Sequence, residues 1–397
     1  MNVMEFTHHD VLRAFRERYP GNPLVVRAPG RINLIGEHTD YNDGFVMPAA
    51  IDYGTFFALA PAADGVSEIY SLKYKEQYTV DLSGEIKPVK QPSWVNYLLG
   101  VIHQLKQQAP LKPFKCVFGG NIPIGSGLSS SASVECGFAF ALNERNGLSI
   151  DRQKLVLMAQ WSEHNFVGVK CGIMDQFASM MSKKGNVILL DCRSLEYSYS
   201  PLQLSGYALV LCDTKVKHAL VDSDYNTRRQ ECERGVERLR KHDPRIRSLR
   251  DADEQLLRRH EHEFEGKEFN RCLYVVQEIA RVQAANRDLQ KNDLKAFGAK
   301  MFETHEGLSE LYQVSCQELD FFVKIARKHS GVIGARMMGG GFGGCTINIV
   351  RTDEAETFIE DLLKSYRAEF NREAGIYRVS LENGVSRMHE QELNMIL

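Results

Sequence analysis

The feature of the sequence that most constrains the fold is a Gly/Ser-rich loop that runs directly into an apolar segment. Residues 123–133 read Pro-Ile-Gly-Ser-Gly-Leu-Ser-Ser-Ser-Ala-Ser, and the chain then stays mostly apolar as far as Leu142. Pro and Gly disfavour a helix. The pattern therefore predicts a loop followed by a helix that begins near Leu128. Gly125 and Gly127 would let the loop backbone come close to a ligand.

A helix start of this kind is suited to binding an anion. Its first N–H groups have no partner within the helix, and the helix dipole is positive at that end. The hydroxyls of Ser129, Ser130 and Ser131 lie at the same place. Together these groups predict a polyphosphate site. Taken alone, the residues also fit an ordinary Gly/Ser turn that caps a helix.

The composition is that of an ordinary soluble globular protein. A chain of 397 residues suggests two domains. Hydrophobic residues make up 43% and the net charge is −2, so no basic excess points to nucleic acid or to a membrane surface. No apolar run approaches the roughly 18 residues of a membrane helix, and the N-terminus has no signal-peptide core. We therefore expect a cytoplasmic protein.

The nine cysteines do not indicate a disulfide framework or a structural zinc site, because their number is odd and no pair has C-x-x-C spacing. Cys136 and Cys212 lie in apolar runs and are predicted to be core thiols. Cys171 lies near a candidate site, but packing is again the expected role.

A second polar segment lies between apolar strands. Residues 24–34 read as a strand that is broken by a Pro-Gly pair, after which Arg31 and Asn33 share one face. The loop at residues 36–44 then reads Gly-Glu-His-Thr-Asp-Tyr-Asn-Asp-Gly. Carboxylates accept strong hydrogen bonds from hydroxyls, so this loop would suit a sugar. A solvated loop is the alternative, and a metal site lacks the usual ligand pairing.

Hydrophobic periodicity predicts the remaining elements. Helices are expected over residues 5–19, 94–106, 151–166 (with Ser149 as a cap), 173–181, 227–240, 251–263, 275–290 and 293–312. A strand or hairpin is expected over 45–60, and strands are expected twice within 66–81 and over 114–118, 186–191, 208–212, 345–350 and 376–381. The polar stretch 193–205 is predicted to be the domain boundary, which leaves a helix-rich second half.

Asp175 and a glycine run complete the candidate sites. At about 100° per residue, Asp175 lies near the side of its helix opposite the apolar residues. It could line a cleft and accept a proton there, or it could face water.

Residues 339–344 match G-x-G-x-x-G formally, but a strand follows where a dinucleotide fingerprint requires a helix. We interpret this run as a loop that a ligand or another backbone approaches closely.

Four separated segments together resemble one family. Residues 29–41, Pro-Gly-Arg-Ile-Asn-Leu-Ile-Gly-Glu-His-Thr-Asp-Tyr, resemble the galactokinase signature. Residues 123–133 resemble the phosphate loop of the wider GHMP small-molecule kinases, and residues 339–344 resemble their third, Gly-rich motif. Residues 171–177 are similar to the galactokinase segment that holds an acid–base aspartate. The four motifs keep the family's order across nearly the whole chain.

The resemblance implies an α+β, two-lobed GHMP kinase fold with the active site between the lobes. Residues 1–200 would form a ribosomal-protein-S5-like lobe that binds sugar and ATP. Residues 201–397 would form a ferredoxin-like lobe with helical insertions. The implied activity is ATP-dependent phosphorylation of the anomeric hydroxyl of galactose to α-D-galactose 1-phosphate, the first committed step of the Leloir pathway.

The resemblance also implies roles for individual residues. Asp175 would be the catalytic base and Arg31 its electrostatic partner. The sugar would be held by Asp175 together with Glu37, His38, Thr39, Asp40, Gly172 and Tyr225. ATP would contact Ser71, Trp94 and the loop residues Gly125, Ser126, Gly127, Leu128, Ser129, Ser130 and Ser131. Mg²⁺ would be held by Glu163 and a loop serine, Ser130 or Ser131.

Two alternatives belong to other classes of protein or substrate. The first is a non-catalytic sensor that binds galactose and ATP and then a regulatory partner. Known sensors resemble this family but lack a Ser-Ala pair in the phosphate loop, whereas Ser131-Ala132 is present here. The second is an N-acetylhexosamine or other sugar kinase. The related N-acetylgalactosamine kinases usually differ just after Glu-His, where this chain keeps the segment 39–44. We expect a monomer with no partner protein.

Overall fold

The computed structural model describes residues 6–123, 125–216 and 221–393. The strands are β1 Leu24–Asn33, β2 Phe45–Val46, β3 Pro48–Pro61, β4 Ser67–Ser71, β5 Glu76–Val80, β6 Phe114–Gly120, β7 Asn186–Asp191, β8 Tyr197–Pro201, β9 Tyr207–Asp213, β10 Val332–Met337, β11 Cys345–Arg351, β12 Gly375–Val379 and β13 Ser386–Arg387. The α-helices are α1 His8–Arg18, α2 Asn96–Lys106, α3 Ser130–Asn146, α4 Arg152–Ser162, α5 Met174–Met181, α6 Val221–Arg240, α7 Glu254–Arg259, α8 Glu268–Gln290, α9 Leu294–Glu306, α10 Gln317–Lys328, α11 Ala355–Phe370 and α12 Glu390–Leu393.

The first lobe is built on a six-stranded sheet in the order β13-β1-β3-β6-β4-β5, with β4 and β6 parallel and the other pairs antiparallel. Alternate residues of a strand point to opposite faces. On β1, Val26 and Ala28 therefore join the core beneath helices α2 to α5, whereas Val25 joins the smaller core beneath α1. Both faces of the sheet are covered.

The second lobe contains a four-stranded antiparallel sheet in the order β10-β11-β9-β12, which is the ferredoxin-like order that the resemblance implies. Helices α10 and α11 cover one face. The other face packs against the first lobe, where Leu211 and Ile347 share a buried cluster with Ile32 and Leu34 of the first motif. Helices α6, α7 and α8 form a separate cluster beside this sheet. The two-lobed α+β fold is thus confirmed.

Several predicted elements need correction. Residues 24–34 are not interrupted, because β1 absorbs the Pro-Gly pair as a register shift between Pro29 and Arg31. Helix α3 begins at Ser130, two residues after the predicted start. Asp151, and not Ser149, caps α4 by accepting a hydrogen bond from the Lys154 N–H group at 2.9 Å.

The polar stretch 193–205, for which no strand was predicted, contains β8, which pairs with β7 in a small sheet that includes β2. Helix α8 begins seven residues before the predicted start, at Glu268. Helices α10 and α11 and strand β10 were not predicted. Within the described residues, no helix combines the length and apolar character needed to cross a bilayer.

Candidate active site

A cleft of about 390 Å³ lies where the first motif, the Asp175 helix and the glycine run meet. Its walls come from β1 and the loop after it, the turn after α4, the start of α5, the start of α6 and the backbone of Gly339 and Gly340. The predicted site residues that line it are Arg31, Glu37, His38, Asp40, Glu163, Gly172, Asp175 and Tyr225. The structure therefore brings the sugar-site and catalytic predictions together in one place.

Arg31 and Asp175 form a two-pronged ion pair at this cleft. Nε of Arg31 is 2.7 Å from Oδ1 of Asp175, and Nη2 is 2.8 Å from Oδ2. The Arg31 side chain is 5% exposed and that of Asp175 is 26% exposed. Burial opposes the charge on Arg31, but the carboxylates of Asp175, Glu37 and Asp40 together outweigh it and raise the pKa of Arg31. The guanidinium thus fixes the carboxylate while leaving part of it open to the cleft.

The Gly/Ser loop lies directly beside this pair. Arg31 also donates to the carbonyl of Gly127, and the hydroxyl of Ser129 donates to Oδ2 of Asp175. Ser129 has a φ of 57° and does not cap α3 with its side chain. The first-turn N–H groups of α3 are therefore free of a side-chain cap at Ser129, as an anion site requires. Gly125 and Gly127 have positive φ values of 75° each, which residues with a side chain rarely adopt.

Two residues of the Gly/Ser loop make hydrogen bonds within the protein. Ser126 is buried and donates from its hydroxyl to the Pro123 carbonyl at 2.6 Å. Leu128 is buried, and its carbonyl accepts from the N–H group of Arg31 at 3.1 Å. The first contact braces the loop internally, and the second joins it to β1.

Glu37 connects the first motif to the glycine run. Its carboxylate accepts from the N–H group of Gly339 at 2.7 Å and from Nη2 of Arg336 at 3.1 Å. Asn33 donates to the other oxygen. Since Glu37 is 1% exposed, most of its hydrogen-bonding capacity serves the protein itself.

Aromatic rings surround His38, and of these the Tyr225 ring lines the cleft. Nδ1 of His38 lies 2.7 Å from the hydroxyl of Tyr41, and the His38 ring centroid is 4.8 Å from that of Tyr312 and 5.5 Å from that of Tyr225. Burial lowers the pKa of His38 to about 3, and the charge of Arg228 adds to the effect. The imidazole is therefore neutral at ordinary pH. Its Nε2 is buried and makes no hydrogen bond.

Asp40 and Thr39 have different surroundings despite being adjacent. Burial raises the pKa of Asp40 to about 7, and the Asp175 carboxylate adds to the rise. Thr39 is buried and does not line the cleft, because its hydroxyl donates to the backbone carbonyls of Gly36 and Phe45 at 2.9 and 2.7 Å.

Glu163 reaches the cleft from a π-helical turn, Glu163–Val167, that continues α4. Burial raises its pKa to about 7, the Asp175 carboxylate adds to the rise, and a hydrogen bond with the Ser131 side chain opposes it. Gln176 donates to Oε2 of Glu163 at 2.6 Å. Behind it lies Glu135, fully buried, with Oε1 making no hydrogen bond. Burial and the Glu163 charge raise the pKa of Glu135 well above its ordinary value.

Ser71 and Trp94 lie outside the cleft, near the end of β6 that leads towards the Gly/Ser loop. Ser71 is buried opposite Phe118 in the β4–β6 pairing, and the Trp94 ring lies 5.7 Å from that of Phe118. The Tyr74 ring, 47% exposed at the residue level, stacks parallel to Trp94 with centroids 6.0 Å apart. A flat ring could extend this stack.

The sequence interpretation missed several residues at these sites: Tyr41, Tyr74, Glu135, Gln176, Tyr312 and Arg336. Glu135 could have been selected from the sequence, since a carboxylate inside the apolar part of a predicted helix is unusual. Tyr74 and Tyr312 could not, because each reaches its partner only through the folding of distant segments.

Three family models match the chain. They are the galactokinase galactose-binding signature over residues 13–61, the GHMP kinases N terminal domain over residues 96–183, and the GHMP kinases C terminal over residues 285–368. The first covers the motif that carries Arg31, Glu37, His38 and Asp40. The second covers the Gly/Ser loop and Asp175.

Relatives of known activity align along most of their length. The chain is 39% identical to the galactokinase of Clostridium acetobutylicum over 98% of this chain and 100% of the relative. It is 41% identical to the galactokinase of Bacillus subtilis over 90% and 92%, respectively.

Two solved structures have the same fold as this chain. The Lactococcus lactis galactokinase complexed with galactose is 32% identical, with a TM-score of 0.91 over 96% of this chain and 99% of that one. The mevalonate kinase of Methanococcus jannaschii shares the fold at 18% identity, with a TM-score of 0.62 over 92% and 100%. From the signature, the near-complete alignments and the shared fold, we conclude that the chain belongs to the galactokinase family of GHMP kinases.

Proposed function

We propose that the chain is an enzyme that transfers the γ-phosphoryl group of ATP to the anomeric hydroxyl of galactose, giving α-D-galactose 1-phosphate and ADP. One observation carries the proposal. The Asp175 carboxylate, held by Arg31 and by the Ser129 hydroxyl, faces the cleft at the point where the Gly/Ser loop starts α3. A proton acceptor and a polyphosphate site are thus adjacent.

Asp175 is the proposed catalytic base. As the anomeric oxygen bonds to the γ-phosphorus, its proton passes to Asp175, the bond to the bridging oxygen breaks, and ADP leaves with that oxygen. Arg31 orients the carboxylate and supplies positive charge beside the developing transition state. The N–H groups of the loop and of the first turn of α3 receive the phosphates. Phosphoryl transfer relies mainly on such positioning and charge.

The other cleft residues are proposed to hold the sugar. Asp40 offers carboxylate oxygens at the cleft, and the neutral His38 ring offers a buried, unsatisfied Nε2. Tyr225 forms an aromatic wall beside them. Groups of this kind are suited to the hydroxyls and the apolar ring face of a hexose. Because Glu37 is already engaged by Gly339 and Arg336, we infer that it mainly shapes the sugar site.

The residues around Glu163 fit Mg²⁺. Glu163 is a buried carboxylate beside the Ser131 hydroxyl, and the carboxyl group of the fully buried Glu135 lies next to it. A hard cation prefers such oxygen ligands and would offset the buried negative charge. We propose that Glu163 and Ser131, rather than Ser130, hold it. When bound, Mg²⁺ would neutralise charge on the β- and γ-phosphates.

The adenine is proposed to lie near Trp94, with Tyr74 completing a stacked aromatic surface. Ser71 is fully buried and would act only through its backbone or by supporting the strand. Cytoplasmic location, a monomeric state and a domain boundary between residues 200 and 201 remain predictions from the sequence.

ATP consumption with a panel of sugars tests the function. Galactose, glucose, N-acetylgalactosamine, arabinose and mevalonate would each be supplied with and without Mg²⁺. We expect strong Mg²⁺-dependent turnover on galactose, and Asp175→Asn is the inactive control. Galactose binding without turnover of any sugar would instead support the sensor. Turnover that favours N-acetylgalactosamine would support the related sugar kinase.

A further inference from the structure

Three side chains with metal-binding atoms meet outside the cleft, on the helical cluster of the second lobe. His242 follows the end of α6, whereas His260 and Glu263 lie at the end of α7 and in the turn after it. One ligand atom from each lies within 4.8 Å of the other two. No role in phosphoryl transfer accounts for their meeting.

Glu263 joins the two histidines. Nε2 of His242 is 2.7 Å from Oε1 of Glu263, and Nδ1 of His260 is 2.9 Å from the same oxygen. The two imidazole rings stack with centroids 3.7 Å apart and planes 20° apart. Both ring nitrogens therefore point at the Glu263 carboxylate, and the stacked rings would have to rotate for the two nitrogens to face one shared cation.

The backbone around this cluster is fixed by the packing beneath it. Leu239 lies three residues before His242, and Leu257 lies three residues before His260; both are fully buried in the helical core. The N–H group of Glu263 donates to the His260 carbonyl at 2.9 Å, which sets the spacing of these two side chains. Rotation of the side chains alone would bring the three groups into the arrangement of metal ligands.

We propose that His242, His260 and Glu263 form a binding site for a divalent cation of the zinc class. Zinc binds histidine nitrogen and carboxylate oxygen at about 2.0–2.2 Å, which places tetrahedral ligands about 3.3 Å apart. The present separations of 2.7 and 2.9 Å would open by about half an ångström. Three protein ligands leave a fourth position for water. Mg²⁺, which prefers oxygen ligands, is a poor match.

The cation would connect two segments that otherwise meet only through packing and ion pairs. A ligand that binds the folded form alone raises stability by mass action. Zinc at this position should therefore raise the unfolding temperature without changing phosphoryl transfer, because none of the three residues lines the cleft.

A titration of the intact protein with Zn²⁺, in excess Mg²⁺ to occupy oxygen-rich sites, tests the proposal. Calorimetry should give one equivalent of tightly bound Zn²⁺, and the unfolding temperature should rise. His242→Gln and His260→Gln should each weaken Zn²⁺ binding at least tenfold and remove the rise in unfolding temperature. His389→Gln, which replaces an exposed histidine outside the cluster, should change neither.

Folding of the variants is checked by their galactose phosphorylation in Mg²⁺ alone. If a histidine variant does not fold, Glu263→Gln serves instead, because its amide oxygen can still accept a hydrogen bond from an imidazole. Co²⁺ in place of Zn²⁺ should give visible absorption that disappears in the same variants. Equal Zn²⁺ affinity and stoichiometry in folded His260→Gln and in the unsubstituted protein would overturn the proposal.

Discussion

The carboxylate of Asp40 occupies the space that a side chain at residue 172 would need. A Cβ atom placed on Gly172 would lie 1.7 Å from Oδ2 of Asp40. Glycine therefore allows the Asp40 carboxylate to lie against the backbone that leads into α5, on the same cleft as Asp175.

Gly172→Ala should force the Asp40 side chain away from its place in the cleft. We expect the KM for galactose to rise at least tenfold, about 1.4 kcal/mol, and the KM for ATP to change little. Gly84→Ala is the matched control, since its Cβ would lie 3.1 Å from the carboxylate of the exposed Asp81. An unchanged KM for galactose in Gly172→Ala would contradict the placement of Asp40 in the sugar site.

Asp175→Ala should abolish turnover, because no other carboxylate has the same contact with Arg31 at the cleft among the described residues. Galactose binding should survive within about tenfold, or roughly 1.4 kcal/mol. Steady-state kinetics and galactose calorimetry measure the two effects separately. Asp175→Asn keeps the shape of the side chain and so controls for the space that alanine leaves, while Arg31 lacks its counter-charge in both variants. Near-normal turnover by either variant would disprove the proposed role.

Arg31→Lys should lower kcat by about ten- to a hundredfold while changing galactose affinity little. Lysine keeps the positive charge but cannot form the two parallel hydrogen bonds seen with Asp175. Comparing kcat with the galactose dissociation constant distinguishes an effect on the orientation of Asp175 from an effect on galactose binding. If Arg31→Lys lost galactose binding and kept kcat, Arg31 would be a sugar ligand instead.

Stability should fall with rising pH because of Glu163. A folded-state pKa of about 7, against an ordinary value of 4.5, means that the folded protein holds this proton longer than the unfolded chain. Below about pH 4.5 the carboxyl is protonated and its stabilising contribution to the free energy of unfolding is fully present. This contribution is lost as the pH rises through 7. The pKa shift of Glu163 corresponds to at most about 3 kcal/mol in the free energy of unfolding.

Urea unfolding at pH 5 and pH 8 without divalent metal measures this effect. Buried His38, whose pKa is lowered, has the opposite dependence at acid pH. The informative quantity is therefore the difference between the unsubstituted protein and Glu163→Gln, which should lose less stability between the two pH values. Equal losses in the two proteins would show that Glu163 is not the source.

Glu163→Gln should also raise the Mg²⁺ concentration needed for half-maximal activity, because the carboxylate is the proposed ligand. Ser131→Ala should act in the same direction, and Ser130→Ala should have a smaller effect, since Ser131 is the serine that lies beside Glu163. An unchanged Mg²⁺ titration in Glu163→Gln would remove Glu163 from the metal site.

The sequence was most informative where a contiguous motif holds the chemistry. Helical periodicity placed Asp175 opposite the apolar side of its helix, and that side faces the cleft. Periodicity could not show that α4 widens into a π-helical turn at Glu163, because the same residues fit an ordinary helix. Strand β8 was missed because its residues are polar and mostly exposed, and only pairing with β7 makes them a strand.

Arg336 limits how the cleft can open. This fully buried side chain on β10 donates to the carbonyls of Asn33 and Leu34 and pairs with Glu37, all from the opposite lobe. Pulling the two sheets apart would break this ion pair and these hydrogen bonds together, and would also expose the apolar cluster that joins the lobes. The cleft should therefore not work as a hinge between lobes. Substrate entry and product exit would instead require local movement of the segments that line the cleft, while the contacts between the two sheets stay in place.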